Sequence, residues 1–264
     1  MIRQPLRLLI VLLLLLPATG GAQPAEAHRL LLIIDDLGHP IGRARVEACF
    51  ALPQAVAFSI IPGTPQASAV ARRCARQDRD VLAHLPWEPL RRELSGERLL
   101  APVDCDESWH EAVLARARRE LPRMVAASNH QGSRASGDER FLAAFARAWS
   151  PLGLPFVDSR TAHDSRIPAM LGAAGVPVFE NQLFLDHVDE ETAIRAELAR
   201  LLEIARGREL TIAIAHPRLR SLRLLADWLE KLPADICLVE ARAALAAPPP
   251  PRDWLAQTRA IVED

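Results

Sequence analysis

The sequence predicts an α/β fold, a deformed β/α barrel of seven or eight mostly parallel strands. Three observations lead to this prediction. Short apolar runs alternate with amphipathic stretches along residues 29–242, which is typical of parallel strands covered by helices. The chain has no glycine-rich dinucleotide-binding pattern, so a barrel is favoured over an open doubly wound sheet. Polar residues follow directly after five of the apolar runs, as they do at the C-terminal rim of such a barrel.

The composition fits one barrel domain. The chain has 264 residues, half of them hydrophobic, which is enough for a single sizeable core. Its formal net charge of −1 gives no electrostatic reason for a nucleic-acid partner. The four cysteines form no CxxC pair, so a disulfide framework is not indicated. A single disulfide is still compatible with the sequence. Cys49 and Cys237 lie among apolar residues and are expected to be small core residues.

The two ends of the chain are expected to lie outside this domain. Residues 1–22 are typical of a secretory signal peptide, because Arg3 and Arg7 precede an apolar run and then a small-residue segment. The run is shorter than the ~20 residues of a spanning helix, so an uncleaved anchor is the less favoured alternative. We therefore expect export across the inner membrane to the periplasm, with no stable membrane span. Residues 243–264 are interpreted as a proline-rich linker and a short tail.

The first strand of the predicted barrel ends in two carboxylates. Residues 30–34 are a continuous aliphatic run, which predicts a strand buried on both faces. Asp35 and Asp36 follow at once, and Gly38 comes after them. Adjacent carboxylates at a buried strand end repel and lose hydration, so they indicate a bound cation or a proton-transfer task.

Later elements follow from apolar runs for strands and helical spacing for helices. The further predicted strands are residues 55–61, 81–83, 124–128, 154–157, 176–179, 211–215 and 236–239. The predicted helices are residues 40–52, 65–77, 107–120, 138–149, 190–206 and 219–231. Asp106 and Asp189 are expected to cap helix starts, and Gly207 to end a helix. Trp109 and Val113 are expected on the buried face of helix 107–120.

Polar groups after the strands converge on one rim in this fold. They are Asp35, Asp36, His84, Asn129, His130, Asp158, Ser159, Arg160 and His216. One interpretation is a divalent metal held by one aspartate and two histidines, with a position left for water. The other is a metal-free acid–base pocket. The remaining histidines are interpreted as structural: His28, His39, His110, His163 and His187.

Five segments carry a resemblance to a known family. They are IIDDLG at 33–38, HLPWEP at 84–89, NHQGSR at 129–134, FVDSRT at 156–161 and AHP at 215–217. As an ordered set over residues 29–242, they resemble the divergent polysaccharide deacetylase family, a distant branch of the NodB-type carbohydrate esterases. The resemblance implies a deformed β/α barrel that binds a divalent metal, zinc by preference. It also implies removal of N- or O-acetyl groups from an envelope or extracellular polysaccharide.

The resemblance also implies roles for single residues. Asp35 corresponds to the general base, Asp36 to a metal ligand, and His216 to the general acid. His84 corresponds to the first of two metal histidines that are normally four residues apart. The further residues expected to orient the base, the acid or the substrate are Arg134, Asp158, Ser159 and Arg160.

The third strand departs from the family pattern. The second histidine position is occupied by Glu88. Either Glu88 is an oxygen ligand, or His130 completes the metal shell from the next strand. We favour Asp36, His84 and His130, because a second imidazole keeps the usual balance of ligands.

Two other functions stay open at this point. The altered third-strand motif is also compatible with an envelope protein that binds glycan or metal and has lost turnover. A metal-dependent amidase or phosphohydrolase ranks below both. Phosphate chemistry calls for a second metal or a basic cradle, and Arg134 and Arg160 are the only rim candidates for one. The sequence does not indicate protein partners.

Overall fold

Strands and helices alternate along residues 27–246, which are the residues that this computed structural model describes. The strands in this range are β1 (His28–Leu37), β2 (Ala57–Ile60), β3 (Val81–Trp87), β4 (Met124–Gln131), β5 (Phe156–Asp158), β6 (Val178–Glu180), β7 (Leu183–Phe184), β8 (Leu210–Ala215) and β9 (Ile236–Leu238). The helices in the same range are α1 (Arg43–Ala51), α2 (Ala67–Arg76), α3 (Glu107–Glu120), α4 (Glu139–Trp149), α5 (Ile167–Ala173), α6 (Glu191–Arg206), α7 (Leu219–Leu229) and α8 (Ala241–Ala244).

The strands form one curled parallel sheet. Their order is β6-β5-β4-β3-β2-β1-β8-β7, and β9 pairs with the beginning of β1. Every pairing between these strands is parallel. Within the described residues the path does not close between β6 and β7. The predicted deformed β/α barrel is confirmed, as an open half-barrel covered by helices.

The two faces of the sheet belong to two apolar cores. Leu30, Leu32 and Ile34 of β1 pack in the larger core, together with the buried faces of the helices. Leu31 and Ile33 pack in the smaller core on the concave face. Residues of α8 contribute to this smaller core, and Arg242 of α8 bonds to Asp80 just before β3. Helix α8 therefore closes the end where the strands begin and leaves the opposite end for polar residues.

A bulge near the end of β1 changes the direction of its carboxylates. Ile34 pairs with Phe58, and Leu37 pairs with Ile60. Between these two pairs β1 therefore contains one residue more than β2. Asp36, within the bulge, has a φ of 59°. Strict alternation would place Asp35 and Asp36 on opposite faces of the sheet. The extra residue lets both carboxylates reach the concave side.

Strands β3 and β4 extend further than predicted. Pairing continues through His84 with Ser128 and Pro86 with His130. Both histidines therefore lie inside strands, where pairing fixes their backbone, and not in the loops that follow. Helix α5, strand β7 and helix α8 were not predicted, because their apolar runs are too short to give a clear period.

Two predictions about buried residues are wrong. Trp109 is 40% exposed, and its neighbour His110 is buried with its ring centroid 4.8 Å from that of Phe141. Val113 is buried as predicted, so the prediction for α3 is wrong at Trp109 alone, whose place on the buried face is taken by His110. Cys237 is exposed because alternation in β9 buries Ile236 instead. Cys49 is buried as predicted, and all four cysteines are free thiols.

The predicted helix ends are mostly confirmed. Asp106 accepts a hydrogen bond from the Trp109 backbone N–H at 3.1 Å, and Gly207 is the C-cap of α6. The N-cap of α6 is Glu190 and not Asp189, since Asp189 accepts a hydrogen bond from Arg220 instead.

The predicted signal peptide and most of the predicted tail lie outside the described residues. Within residues 27–246, no helix has the length and apolar character needed to cross a membrane.

Candidate metal centre

Asp36, His84 and His130 bring three ligand atoms together on the concave side of the sheet. One ligand atom from each lies within 4.8 Å of the others. Asp36 Oδ1 is 3.3 Å from His84 Nε2 and 2.8 Å from His130 Nδ1. One carboxylate oxygen and two imidazole nitrogens are a donor set found in catalytic zinc sites, which keep a fourth position for water. The three residues therefore fit a divalent metal. They are the ligand set that we favoured from the sequence over a set containing Glu88, and the fold brings them together.

The two histidines turn different ring nitrogens toward Asp36: His84 its Nε2 and His130 its Nδ1. The second nitrogen of each ring points away from Asp36 and is called the outer nitrogen. The outer nitrogen of His84, Nδ1, lies 2.8 Å from the Ser128 hydroxyl. The outer nitrogen of His130, Nε2, lies 3.7 Å from Glu97 Oε1. Metal-binding histidines usually have a hydrogen-bond partner on the second nitrogen, which fixes the ring and its tautomer. His84 has one in Ser128, whereas Glu97 lies beyond hydrogen-bond distance of His130.

Glu97 was missed in the sequence because it lies in the loop between β3 and α3, away from any strand end. Its Oε1 also lies 2.8 Å from His39 Nε2. His39, interpreted as structural, is thus a neighbour of the centre through Glu97.

Electrostatics separate the roles of the adjacent carboxyl groups. Burial is the largest influence on Asp36 and would raise its pKa. Hydrogen bonds from His130 and His84 outweigh burial and hold that pKa well below the usual range. Asp36 is therefore an ionised carboxylate, as a metal ligand must be. Burial would lower the pKa of His130, but Asp36 raises it.

Asp35 lies beside the cluster in a drier environment. Its side chain is 2% exposed, and its Oδ2 is 3.5 Å from His84 Nε2. Within residues 27–246, its buried Oδ1 has no hydrogen-bond partner. Burial is the main cause of a raised pKa at Asp35, and the charge of Asp36 adds to it. His84 and the Ser59 hydroxyl act in the opposite direction. A carboxyl group of this kind is suited to accept a proton.

His216 approaches the cluster from β8. Its Nε2 lies 3.8 Å from Asp36 Oδ2. Its Nδ1 lies 2.7 Å from Asp186 Oδ1. Burial would lower the pKa of His216, but the bond to Asp186 and the charge of Asp36 raise it above its usual 6.5.

Asp186 is a second residue that the sequence reasoning missed. It follows the short apolar run of Leu183, Phe184 and Leu185, which is the same strand-end position that identified the other candidates. A run of three residues is too short to indicate a strand by itself.

Glu88 points away from the ligand group. It is 1% exposed, and its Oε1 accepts a hydrogen bond from Arg134 at 2.7 Å. Its Oε2 accepts one from the Val103 backbone N–H at 2.8 Å. Both carboxylate oxygens are thus bonded, and the ion pair with Arg134 compensates a buried charge. Among the described residues, Glu88 is not part of the candidate ligand group.

Asp158, Ser159 and Arg160 form a polar network at the end of β5. Asp158 accepts hydrogen bonds from the Arg160 backbone N–H and the Ser165 hydroxyl, both at 2.7 Å. Asn129 accepts one from the Ser159 backbone N–H at 2.9 Å. Burial is the main cause of a raised pKa at Asp158. The network fixes neighbouring strand ends, and the predicted orienting roles of these residues stay a prediction.

The fold and the site together define a β/α-barrel protein with a candidate metal centre at the carboxyl ends of its strands. Residues 32–245 match the divergent polysaccharide deacetylase family, and the chain belongs to that family. The resemblance found in the sequence is confirmed.

Two relatives and one solved structure are also similar to this chain. The uncharacterized protein YibQ of Escherichia coli K12 is 31% identical over 229 residues, covering 86% of this chain and 70% of YibQ. An uncharacterized protein of Haemophilus influenzae is 29% identical over 215 residues, covering 80% of this chain and 74% of that protein. The crystal structure of an uncharacterized protein from Agrobacterium tumefaciens C58 has a TM-score of 0.74 at 19% identity, covering 84% of this chain and 90% of that one. This last similarity concerns the fold.

Proposed function

We propose that this protein is a metal-dependent carbohydrate deacetylase. Its substrate would be an N- or O-acetylated polysaccharide of the cell envelope or the extracellular space. The observation that carries the proposal is the cluster of Asp36, His84 and His130, flanked by Asp35 and His216. Membership of the divergent polysaccharide deacetylase family supports the choice of bond and substrate.

The proposed metal is zinc, held by Asp36, His84 and His130. The donor set favours it, since two imidazoles and one carboxylate suit zinc better than magnesium or calcium. When bound, a divalent cation would polarise the acetyl carbonyl and lower the pKa of a water molecule. Glu88 is proposed to be structural, because both its oxygens already accept hydrogen bonds.

The protein groups divide the proton transfers between them. Asp35 accepts the proton of the attacking water, for which its raised pKa and its unpartnered buried oxygen are suited. His216 donates a proton from Nε2 to the nitrogen or oxygen that leaves the acetyl carbon. Asp186 holds Nδ1 of the same ring, so the mobile proton is confined to Nε2.

We place this activity in the periplasm. The basis is the predicted signal peptide at residues 1–22, which carries Arg3 and Arg7 before an apolar run. An acetylated polymer of the envelope would be accessible in that compartment.

The test combines metal content with acetate release. Wild-type protein, Asp36→Ala and the exposed control Asp227→Ala are loaded with zinc, cobalt or nickel and incubated with acetylated glycans. We expect metal binding and acetate release from the wild type and the control, and the loss of both from Asp36→Ala. Full metal occupancy in Asp36→Ala would remove Asp36 from the ligand set. A wild type that binds glycan and metal but releases no acetate would favour the non-catalytic envelope protein.

A further inference from the structure

Three buried side chains form a hydrogen-bonded chain beneath the candidate metal centre. Ser59 Oγ lies 2.9 Å from Ser128 Oγ, and Ser128 Oγ lies 2.8 Å from His84 Nδ1. All three side chains are buried. Asp35 and Ser59 directly follow the paired residues Ile34 and Phe58 of β1 and β2, so Ser59 lies beside the carboxyl group of Asp35. The chain thus runs from a candidate metal ligand to the proposed base.

The three side chains share the concave face of the sheet through strand alternation. Two positions before each of them, an apolar side chain belongs to the concave core: Ala57, Leu82 and Ala126. His84 and Ser128 are direct partners in the pairing of β3 with β4. Their contact is therefore set by strand register and not by flexible loops.

Metal binding would determine which group donates and which accepts in each of these hydrogen bonds. If His84 binds a metal through Nε2, its ring hydrogen lies on Nδ1. Nδ1–H then donates to Ser128, and the Ser128 hydroxyl must donate onward to Ser59. The Ser59 hydroxyl needs an acceptor in turn, and it faces Asp35, whose buried Oδ1 has no partner within residues 27–246.

We propose that Ser128 and Ser59 are positioning residues that couple the tautomer of His84 to the orientation of the Asp35 carboxylate. The proposal rests on the proposed metal centre. Ser128 holds the Nδ1-protonated tautomer that leaves Nε2 free for the metal. Ser59, which accepts a hydrogen bond from Ser128, donates its own hydroxyl hydrogen to Asp35. Metal occupancy at His84 and the orientation of the Asp35 carboxylate are thereby linked.

Substitution of Ser128 and substitution of Ser59 should therefore affect zinc affinity and kcat differently. Ser128→Ala is expected to weaken zinc affinity about 10- to 100-fold, as loss of an outer partner of a metal histidine does. Ser59→Ala is expected to change zinc affinity less than about 3-fold and to lower kcat about 10-fold with KM unchanged. Ser136→Ala is the control, because this serine is also fully buried and its Oγ has no partner within the described residues.

The experiment measures zinc affinity by chelator competition on the full chain, with kcat and KM for acetate release. Nitrogen-15 NMR of the His84 ring in the zinc-loaded wild type is a second measurement that depends on no variant. The proposal requires a proton on Nδ1 and none on Nε2.

The outcomes separate the proposal from the proposed function. An unprotonated Nδ1, wild-type zinc affinity in Ser128→Ala, or an equal loss in Ser136→Ala overturns the coupling while the metal centre stands. A wild type that binds no zinc overturns both.

Discussion

Asp186 holds His216 at two points. Asp186 Oδ1 lies 2.7 Å from the ring Nδ1, and Asp186 Oδ2 accepts a hydrogen bond from the His216 backbone N–H at 2.9 Å. The carboxylate therefore fixes the ring and the strand end together. The other ring nitrogen faces the candidate metal centre, 3.8 Å from Asp36. The carboxylate thus holds Nδ1 of the ring, and Nε2 is left to face the centre.

Asp186→Asn is expected to lower kcat for acetate release about 10- to 100-fold with little change in KM. The amide cannot stabilise the protonated ring as a carboxylate does, so the pKa of His216 falls and a smaller fraction of the protein carries the proton that the leaving group needs. Steady-state kinetics on an acetylated glycan measure the effect, and His216→Ala sets the upper limit at a loss of about 10²–10⁴.

The matched control is Ser221→Ala. The Ser221 hydroxyl donates to Asp186 Oδ2 at 2.7 Å, and its removal leaves the carboxylate and both contacts with His216 in place. Its kcat should stay within about 3-fold of the wild type. An equal loss in both variants would mean that packing, and not the carboxylate, supports His216.

Glu88→Gln and His130→Ala distinguish the two alternatives for the third metal ligand. We expect Glu88→Gln to keep zinc affinity within about 3-fold, because its oxygens bond to Arg134 and Val103 and not to the metal. His130→Ala should lose at least about 100-fold, since one of three protein ligands disappears. Isothermal titration calorimetry with zinc provides the comparison. The reverse order of affinities would assign the ligand to Glu88.

Arg242→Ala is expected to lower the free energy of unfolding by about 1–3 kcal/mol. Arg242 Nε bonds at 2.6 Å to Asp80, a buried carboxylate just before β3. Without the guanidinium, that charge keeps only the Arg242 backbone N–H as its partner from α8. Urea unfolding of the metal-free protein measures the loss.

Arg29→Ala is the control for Arg242→Ala. Arg29 pairs with Glu209, whose side chain is 78% exposed. An exposed pair contributes less than about 1 kcal/mol. Equal destabilisation by the two substitutions would contradict the importance assigned to the buried carboxylate.

His110 should make the protein less stable in mild acid. Burial lowers the pKa of His110 from 6.5 to about 4, so the unfolded chain binds more protons between these two values. The contribution of the neutral, buried His110 ring to the free energy of unfolding is fully present above pH 6.5 and is lost as the pH falls toward 4. The unfolding free energy should drop by about 2 kcal/mol from pH 7 to pH 5 through this residue.

Urea unfolding of His110→Phe at pH 5 and pH 7 tests this prediction. A phenyl ring keeps the contacts with Phe141 and Phe145 and cannot be protonated, so most of the acid loss should disappear. His163→Gln, at an exposed loop position, should behave as the wild type. The same acid loss in His110→Phe and the wild type would assign the effect to other groups.

Much of the site could be predicted from local pattern. Apolar runs followed by Asp35, His84, His130 and His216 indicate strands with polar residues near or just after their ends, and parallel strands bring their carboxyl ends to one rim. The sequence by itself therefore determined the fold class, the rim and most of the candidate residues. The physical reason is that burial of short apolar runs fixes strands locally.

Tertiary structure alone decided which side chains meet. His84 and Glu88 are four residues apart and would share one face by alternation, yet β3 ends at Trp87 and Glu88 turns to Arg134. His130 takes the place near Asp36 because β4 pairs with β3 through that position. Glu97 and Asp186 come from segments with no strand or helix period of their own. Their contacts depend on how distant parts of the chain pack, which no local pattern of residues records.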